Sequence, residues 1–521
     1  MPQVINQRRC RQVVAILLGV CLLPLSVLPM TEAAELHRGA GPEPDALDIH
    51  LAQSLSALNV LRDLHEGLIG FDARAELVPG LARQWSVSDD GLQWHFELDE
   101  AARWSDGQPI TADDVVAGWQ RALNPATASP TAGLLDPVHN AIAVRSGQLP
   151  AEALGIEAIA PHQLQITLAQ PTPWFAELLT HPVTYPWSGE VGARYSGAFS
   201  LAERRPGSHI RLVANPHFRA ADTVQLAAVT WHLIEEPNVE LSRYRAGQLH
   251  ITETIPPGRL DWMREQFGDQ LRIAPYLGSF FLSFNLNRPP FAENPGLREA
   301  LSLVIDRPLL VERVLGTGEV PASGLIPPGM PGWPDQPAPV ASPDEAAVAR
   351  ARMLYEAAGY GRHRPLQVEV RFNTSLTHRR MAAAVAAMWR QHLGVETRLV
   401  NEEWKVFVAN RRQGRITEVV RGGWIADWRD AGNFLQLFMA DSPLNYTFFN
   451  DPTFEFLMDS ASEQYGAQRL RTLRLAEAHL LDEHAILPLY YYVSRHLVHP
   501  AVRGFEDNAM DIHLSRWISL E

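Results

Sequence analysis

Apolar and polar positions alternate over Leu92, Trp94, Phe96 and Leu98, which predicts a strand with one buried face. Trp104-Ser105-Asp106-Gly107 reads as a turn, after which the period lengthens. Thr111 caps a helix with Asp114 in the capping-box position, Val115, Val116, Trp119 and Leu123 share its inner face, and Asn124-Pro125 ends it. Leu282, Phe284 and Leu286 alternate as a further strand, followed by a helical repeat through Leu297, Leu301, Val304 and Ile305, with Gly316 as a stop. Ser342-Pro343-Asp344-Glu345 forms a capping box for a helix that ends by Gly359.

From Leu366 onward strands and helices take turns. Leu366, Val368, Val370 and Phe372 alternate, and Met381, Val385, Met388 and Trp389 line one helical face. A strand near Val395 to Val400, a helix through Lys405 and a strand at Val419 follow. Such alternation predicts an α/β lobe with a mostly parallel sheet covered on both faces. The segment "HAILPLYYYVSRHLVHPAVRGF" reads as an apolar strand running into an irregular tail, and the proline-rich residues 324–343 as an ordered surface excursion.

The first 33 residues carry the marks of a secretory signal: Arg8, Arg9 and Arg11, an apolar run from Val13 to Val27, and the small-residue site Thr31-Glu32-Ala33. Both cysteines, Cys10 and Cys21, fall inside it, so the exported chain is expected to have neither disulfide nor thiolate chemistry. No later stretch is apolar enough for a bilayer. The remaining length suits roughly three lobes.

A formal net charge of −14 disfavours nucleic acid as a partner. Arginine supplies the cations apart from Lys405, which follows Trp404, so neither a phosphate loop ending in Gly-Lys-Ser/Thr nor a Ser-x-x-Lys nucleophile exists. His-Glu-x-x-His and Gly-x-Ser-x-Gly are absent as well, which argues against a peptidase. His479 and His484 are not spaced as zinc ligands on one helix face, and neither a metal nor a cofactor is expected.

One element stands apart. In "VVRGGWIADWRD", residues 419–430, a strand opens through Gly422 and Gly423 and places Asp427 among tryptophans. Together with "WSDGQPITADDVVAGWQRALNPATASPTAGLL" and "PPFAENPGLREALSLVIDRPLLVERVLG", in this order, "GWIADW" resembles the periplasmic oligopeptide-binding proteins that serve ABC importers. The similarity runs from about Gly41 to Phe505.

The resemblance implies two lobes joined by two crossovers, near Tyr276-Leu277-Gly278 and Tyr492-Val493, with a third domain extending the first lobe. In this chain that corresponds to residues 34–55, 180–277 and 494–521 for a discontinuous domain I, 56–179 for domain II and 278–493 for domain III. It also implies a monomeric periplasmic receptor of a Gram-negative cell that hands short peptides to a membrane permease. A related receptor for a dipeptide, murein peptide, haem or metal chelate stays open.

Site roles come from the same source. Asp427 would hold the ligand's α-ammonium, with Trp424 and Trp428 lowering the local dielectric. Gly423 and Ile425, with Glu43 and Asp45 from "EPDALD" (the match to the family's first strand), would pair with the ligand backbone. Arg421, Arg411 and His378 would meet its carboxyl end, and Trp404, Tyr276, Phe281 and Tyr492 would line side-chain pockets. The chain departs from the family pattern at Thr131, at Trp428-Arg429-Asp430, at an extra residue between Gly414 and Arg421, and in having no lysine near the carboxyl end.

Overall fold

Alternation in the Gln93–Leu98 strand buries Trp94, Phe96 and Leu98 on one side of a four-stranded sheet, ordered Ala82–Val87, Gln93–Leu98, Gln163–Thr167, Ile156–Ala160. The helix Ala112–Leu123 packs Val115, Trp119 and Leu123 into the same core. Its start is the anticipated capping box, in which the Thr111 N–H donates to the Asp114 carboxylate at 2.8 Å. The computed structural model describes residues 34–416 and 418–521, with the backbone alone at Lys405, so the signal lies outside the described residues.

A second four-stranded sheet runs Glu35–Gly41, Ala228–Leu233, His209–Ala214, Phe199–Arg205, with the first pair parallel and the others antiparallel. The largest sheet has six strands in the order Val320–Pro321, Ile486–Leu497, Leu271–Phe284, Val419–Ile425, Gln367–Asn373, Glu396–Glu402. One face carries Phe280, Leu282 and Phe284 against the helices Pro295–Leu303, Glu345–Ala357 and Leu376–Leu393. The other carries Phe281 and Ile486 against Pro452–Ser462 and Gly466–Asp482. Both faces are therefore covered, and the α/β class holds.

The expectation of a mostly parallel sheet needs correction. Only the pairings of Gln367–Asn373 with its two neighbours are parallel; the other three are antiparallel. The reason is long-range: Leu271–Phe284 takes Ile486–Leu497 as a partner from across the chain, and local alternation is blind to that. Their ladder breaks where Pro275 faces Val493 and Ser279 faces Tyr491, leaving Tyr276, Leu277 and Gly278 opposite Tyr492 alone.

Two local expectations also shift. The strand from Leu271 ends at Phe284, and the Leu286 N–H bonds instead to the Thr447 carbonyl at 2.8 Å. The cap of the Glu345–Ala357 helix is Asp344, which accepts from the Ala347 N–H at 2.7 Å, while Ser342 turns away to Asp306. Among the described residues no helix is long and apolar enough to cross a membrane.

Candidate functional site

The Val419–Ile425 strand is paired on one side only over most of its length. All seven residues face Leu271–Phe284, but only Val419 and Val420 meet the Gln367–Asn373 strand. The Ala426 N–H donates to the Leu277 carbonyl and the Asn285 N–H to the Glu418 carbonyl, both at 2.8 Å. Antiparallel hydrogen bonding alternates from residue to residue, so Gly422 and Trp424 point inward, and Arg421, Gly423 and Ile425 hold their N–H and C=O groups at a free edge. Two of these are the predicted backbone-pairing positions.

Glycine is needed beside that edge. A Cβ at Gly422 would overlap the Phe281 ring, and one at Gly278 the Tyr492 ring. Phe281 and Tyr492 can therefore lie close over the sheet. On the Phe281 side a cavity of about 210 Å³ opens, floored by Phe281, Val420, Gly422 and Trp424. Trp404, Arg411, Leu437, Phe438 and Tyr446 close over it.

Asp427 follows the free edge. It keeps access to solvent, yet burial pushes its carboxyl up to about 6 against the opposing effect of the Asn433 side chain. Asn433, fully buried, accepts at Oδ1 from the Trp424 indole N–H at 2.7 Å and from the Asp427 backbone N–H at 3.1 Å. Asn433 thus sets the position of both. No arginine pairs with Asp427 among the described residues.

The next residue leaves the site. Trp428 is buried in the core of the Gln93–Leu98 sheet and stacks on Trp174, with ring centroids 6.4 Å apart and planes within 3°. The anticipated tryptophan pair beside the carboxylate is therefore Trp424 alone. Arg429 pairs with Glu177 at 3.1 Å and Glu76 at 2.9 Å, and Arg469 links Asp430 at 2.6 Å to the face of Trp174 at 4.8 Å. The departure from the family pattern at residues 428–430 is a docking device that pins the loop after Asp427.

The cations lie at the other end. Arg411 sits over the rings of Tyr446 at 4.3 Å, Phe407 at 4.6 Å and Trp404 at 5.9 Å. Burial, then Arg421 and Arg412 against the pull of Tyr446, push its guanidinium down to about 10. Arg421 lies over Phe280 at 5.1 Å and hydrogen-bonds Tyr492. The Nε atoms of both arginines are buried without a partner, and neither has a carboxylate in ion-pair range among the described residues. His378 packs on Phe280 with centroids 5.4 Å apart, and burial and Arg421 push its imidazole down to about 4. It is a neutral donor beside Arg421.

Other expected residues fall elsewhere. Glu43 and Asp45 lie in irregular chain: the strand is Glu35–Gly41, and the match of 43–48 to a first strand is corrected. Glu43 pairs with Arg204 at 3.1 Å and takes the Gly207 N–H, while Asp45 accepts from the Gln53 and Ser54 N–H groups and the Ser54 hydroxyl. Asp45 serves the start of the Leu55–Leu64 helix, and nothing joins either residue to the free edge in this conformation. Tyr276 stands near Asp511, Glu253 and Arg62 and does not line the cavity. Asn433, Tyr446 and the Leu437-Phe438 wall were missed; their only trace in the sequence is an apolar run after Asp427.

One donor set could suit a metal. His496, Asp511 and His513 converge, both Nε2 atoms approaching the same Asp511 oxygen at 2.7 and 3.1 Å. Burial would lower His496, but Asp511 overrides it and raises the imidazole to about 9. With Nδ1 also bonded to the Thr252 carbonyl at 2.8 Å, the group is a complete ion pair that ties the tail to the Ile486–Leu497 strand. An ion would have to break it, so the residues do not favour one.

A free strand edge between an unpaired acid and unpaired guanidiniums is a built place for an extended, zwitterionic solute. Residues 76–446 match the model of bacterial extracellular solute-binding proteins, family 5, and the chain belongs to that family. It is 34% identical over 503 residues to the periplasmic murein peptide-binding protein MppA of Escherichia coli K12, covering 94% of this chain and 93% of the relative. Identity is also 34% over 494 residues to the periplasmic oligopeptide-binding protein OppA of the same strain, covering 91% and 90%. An unliganded open form of MppA superposes with a TM-score of 0.82, covering 94% of this chain and 98% of the other.

Proposed function

We propose that the protein is a periplasmic receptor that captures short peptides by both charged ends and by the backbone, and passes them to an ABC permease. The observation that carries this reading is the free edge at Arg421, Gly423 and Ile425, with Asp427 beyond one end and Arg421 and Arg411 toward the other. A peptide added as a strand satisfies those edge groups whatever its side chains are. Its α-ammonium, with an ordinary pKa of about 8, supplies the counter-charge that Asp427 lacks, and its carboxylate fits a guanidinium fork.

Desolvating both charges is tolerable only because each finds an oriented partner. Residues 34–55, 180–277 and 494–521 would form one lobe, extended by 56–179, and 278–493 the other. The broken ladder at Tyr276-Leu277-Gly278 and Tyr492 is where the hinge would act. Closure would be favoured to the extent that the ligand touches both lobes, and Glu43 and Asp45 would reach the peptide only then. The receptor would act as a monomer and without chemistry of its own.

The test is incubation of the exported protein with a defined peptide pool, followed by native mass spectrometry and a search for fragments. Intact peptides retained one per chain agree with the proposal. Fragments that accumulate with time, or retention of solutes without a free amine, contradict it.

A further inference from the structure

Away from the cleft, five histidines stand in a row across the sheet that begins with Glu35–Gly41. His209 and His232 are direct cross-strand partners, and His37 lies on the next strand. The row continues through two bridged segments: Ile251, next to His250, pairs with Arg38 on one side and on the other with Val498, next to His499. Successive ring centroids are 6.5, 5.4, 5.7 and 6.1 Å apart. All five rings are half-buried, so solvent reaches the row.

The neighbouring row on the same face shows what this sheet does with ordinary polar residues. There Glu35 takes Arg211 at 3.0 Å and the Thr230 hydroxyl at 2.6 Å, and every charge is matched. Among the described residues, the histidine row contains one carboxylate contact, Glu203 to His209 at 3.6 Å, and none to His37, His232, His250 or His499. Instead, His37 Nδ1 and His232 Nε2 face each other at 3.2 Å. The His37 backbone N–H donates to His250 Nδ1 at 3.0 Å, which fixes the strand beneath the pair.

Two nitrogens bound to one tetrahedral ion at about 2.0–2.1 Å lie about 3.3 Å from each other. We propose that His37 and His232 form a two-nitrogen anchor for a divalent transition-metal ion of the zinc, nickel or copper class, whose remaining positions solvent fills; His209, whose ring turns to Ser208 and Glu203, stays outside it. Imidazole donors suit these ions, and the lack of carboxylates disfavours calcium and magnesium. The ion takes the place of the proton shared between the two rings, and the ring that donated it carries its proton on the other nitrogen. The strand pairing already holds both rings, so little ordering remains to be done.

Zinc chloride titrated by calorimetry into the untagged, chelator-stripped exported protein tests this. Wild type and a His513→Asn variant should each bind one zinc per chain, and His37→Asn/His232→Asn at least tenfold more weakly, with unchanged melting of the zinc-free protein and unchanged peptide affinity. Should the double variant melt early, His232→Gln alone is titrated, with the same loss expected. Equal zinc affinity in the wild type and the His232 variants, no saturable binding by the wild type, or loss only on His513→Asn overturns the proposal.

Discussion

Glu66 and Asp427 are both acids set among protein groups, Glu66 buried and Asp427 open to solvent, and what answers their charge differs. Glu66, with its side chain 5% exposed, is held by Arg219 at 2.7 Å and Arg516 at 2.5 Å, so its charge is answered inside the chain. Among the described residues Asp427 has Asn433 and no cation, while Arg411 and Arg421 toward the other end of the edge have aromatic faces and no anion. The difference teaches where a partner from outside is needed. A protein that leaves charges of both signs unmatched along one strand edge, yet keeps them apart, has room for a molecule carrying the opposite signs at its two ends.

The comparison breaks first if the two acids can be exchanged in role. Glu66→Ala should lower unfolding free energy by about 3–5 kcal/mol, because Arg219 and Arg516 are left buried without an anion; denaturant melts check this, and peptide affinity of the folded fraction should barely change. Asp427→Ala should do the reverse. Peptide affinity should fall roughly a hundredfold to several thousandfold by calorimetry, the equivalent of about 3–5 kcal/mol, with the unliganded melt almost untouched.

At the carboxyl end the effects are smaller. Arg421→Ala removes one charge-assisted contact of about 1.5–3 kcal/mol, so affinity should drop roughly tenfold to a hundredfold, and a peptide amide should lose little further. Acidity sharpens the contrast. The Asp427 carboxyl sits at about 6 in the free protein, and only its ionised form binds an ammonium. Affinity should therefore be flat from neutrality down to about that pH and then decline by up to tenfold per unit, a slope that Asp427→Asn abolishes.

The smallest effect concerns stability. A carboxyl raised on folding favours the folded state at low pH and disfavours it as pH climbs through the raised value. Asp427→Asn should then stabilise the unliganded protein at pH 8, by about 1 kcal/mol or less given its solvent contact, and by nothing at pH 3.

What could be read from the residues was local. Thr111 and Asp114 meet across three positions, alternation from Leu92 to Leu98 needs no distant partner, and the Gly422-Gly423 opening announces a close approach. Asp427 stands out as a candidate because it is the acid in a compact run of glycine and tryptophan. Trp428 could not be placed, since its partner Trp174 lies on another sheet's core and any aromatic would look alike in sequence. The stretch from Glu43 was expected as strand and is irregular chain, held by local contacts such as that of the Asp45 carboxylate with Ser54. The histidine row spans residues 37 to 499 and exists only once the strands are side by side.

The most direct test pairs a free-amine peptide with its N-acetylated form against wild type and Asp427→Asn in one calorimetric cycle. Acetylation should weaken binding to wild type by about two orders of magnitude or more and to the variant by only a few-fold, because the same contact has already been removed. If the variant suffers from acetylation as severely as wild type does, Asp427 is not what holds the amine.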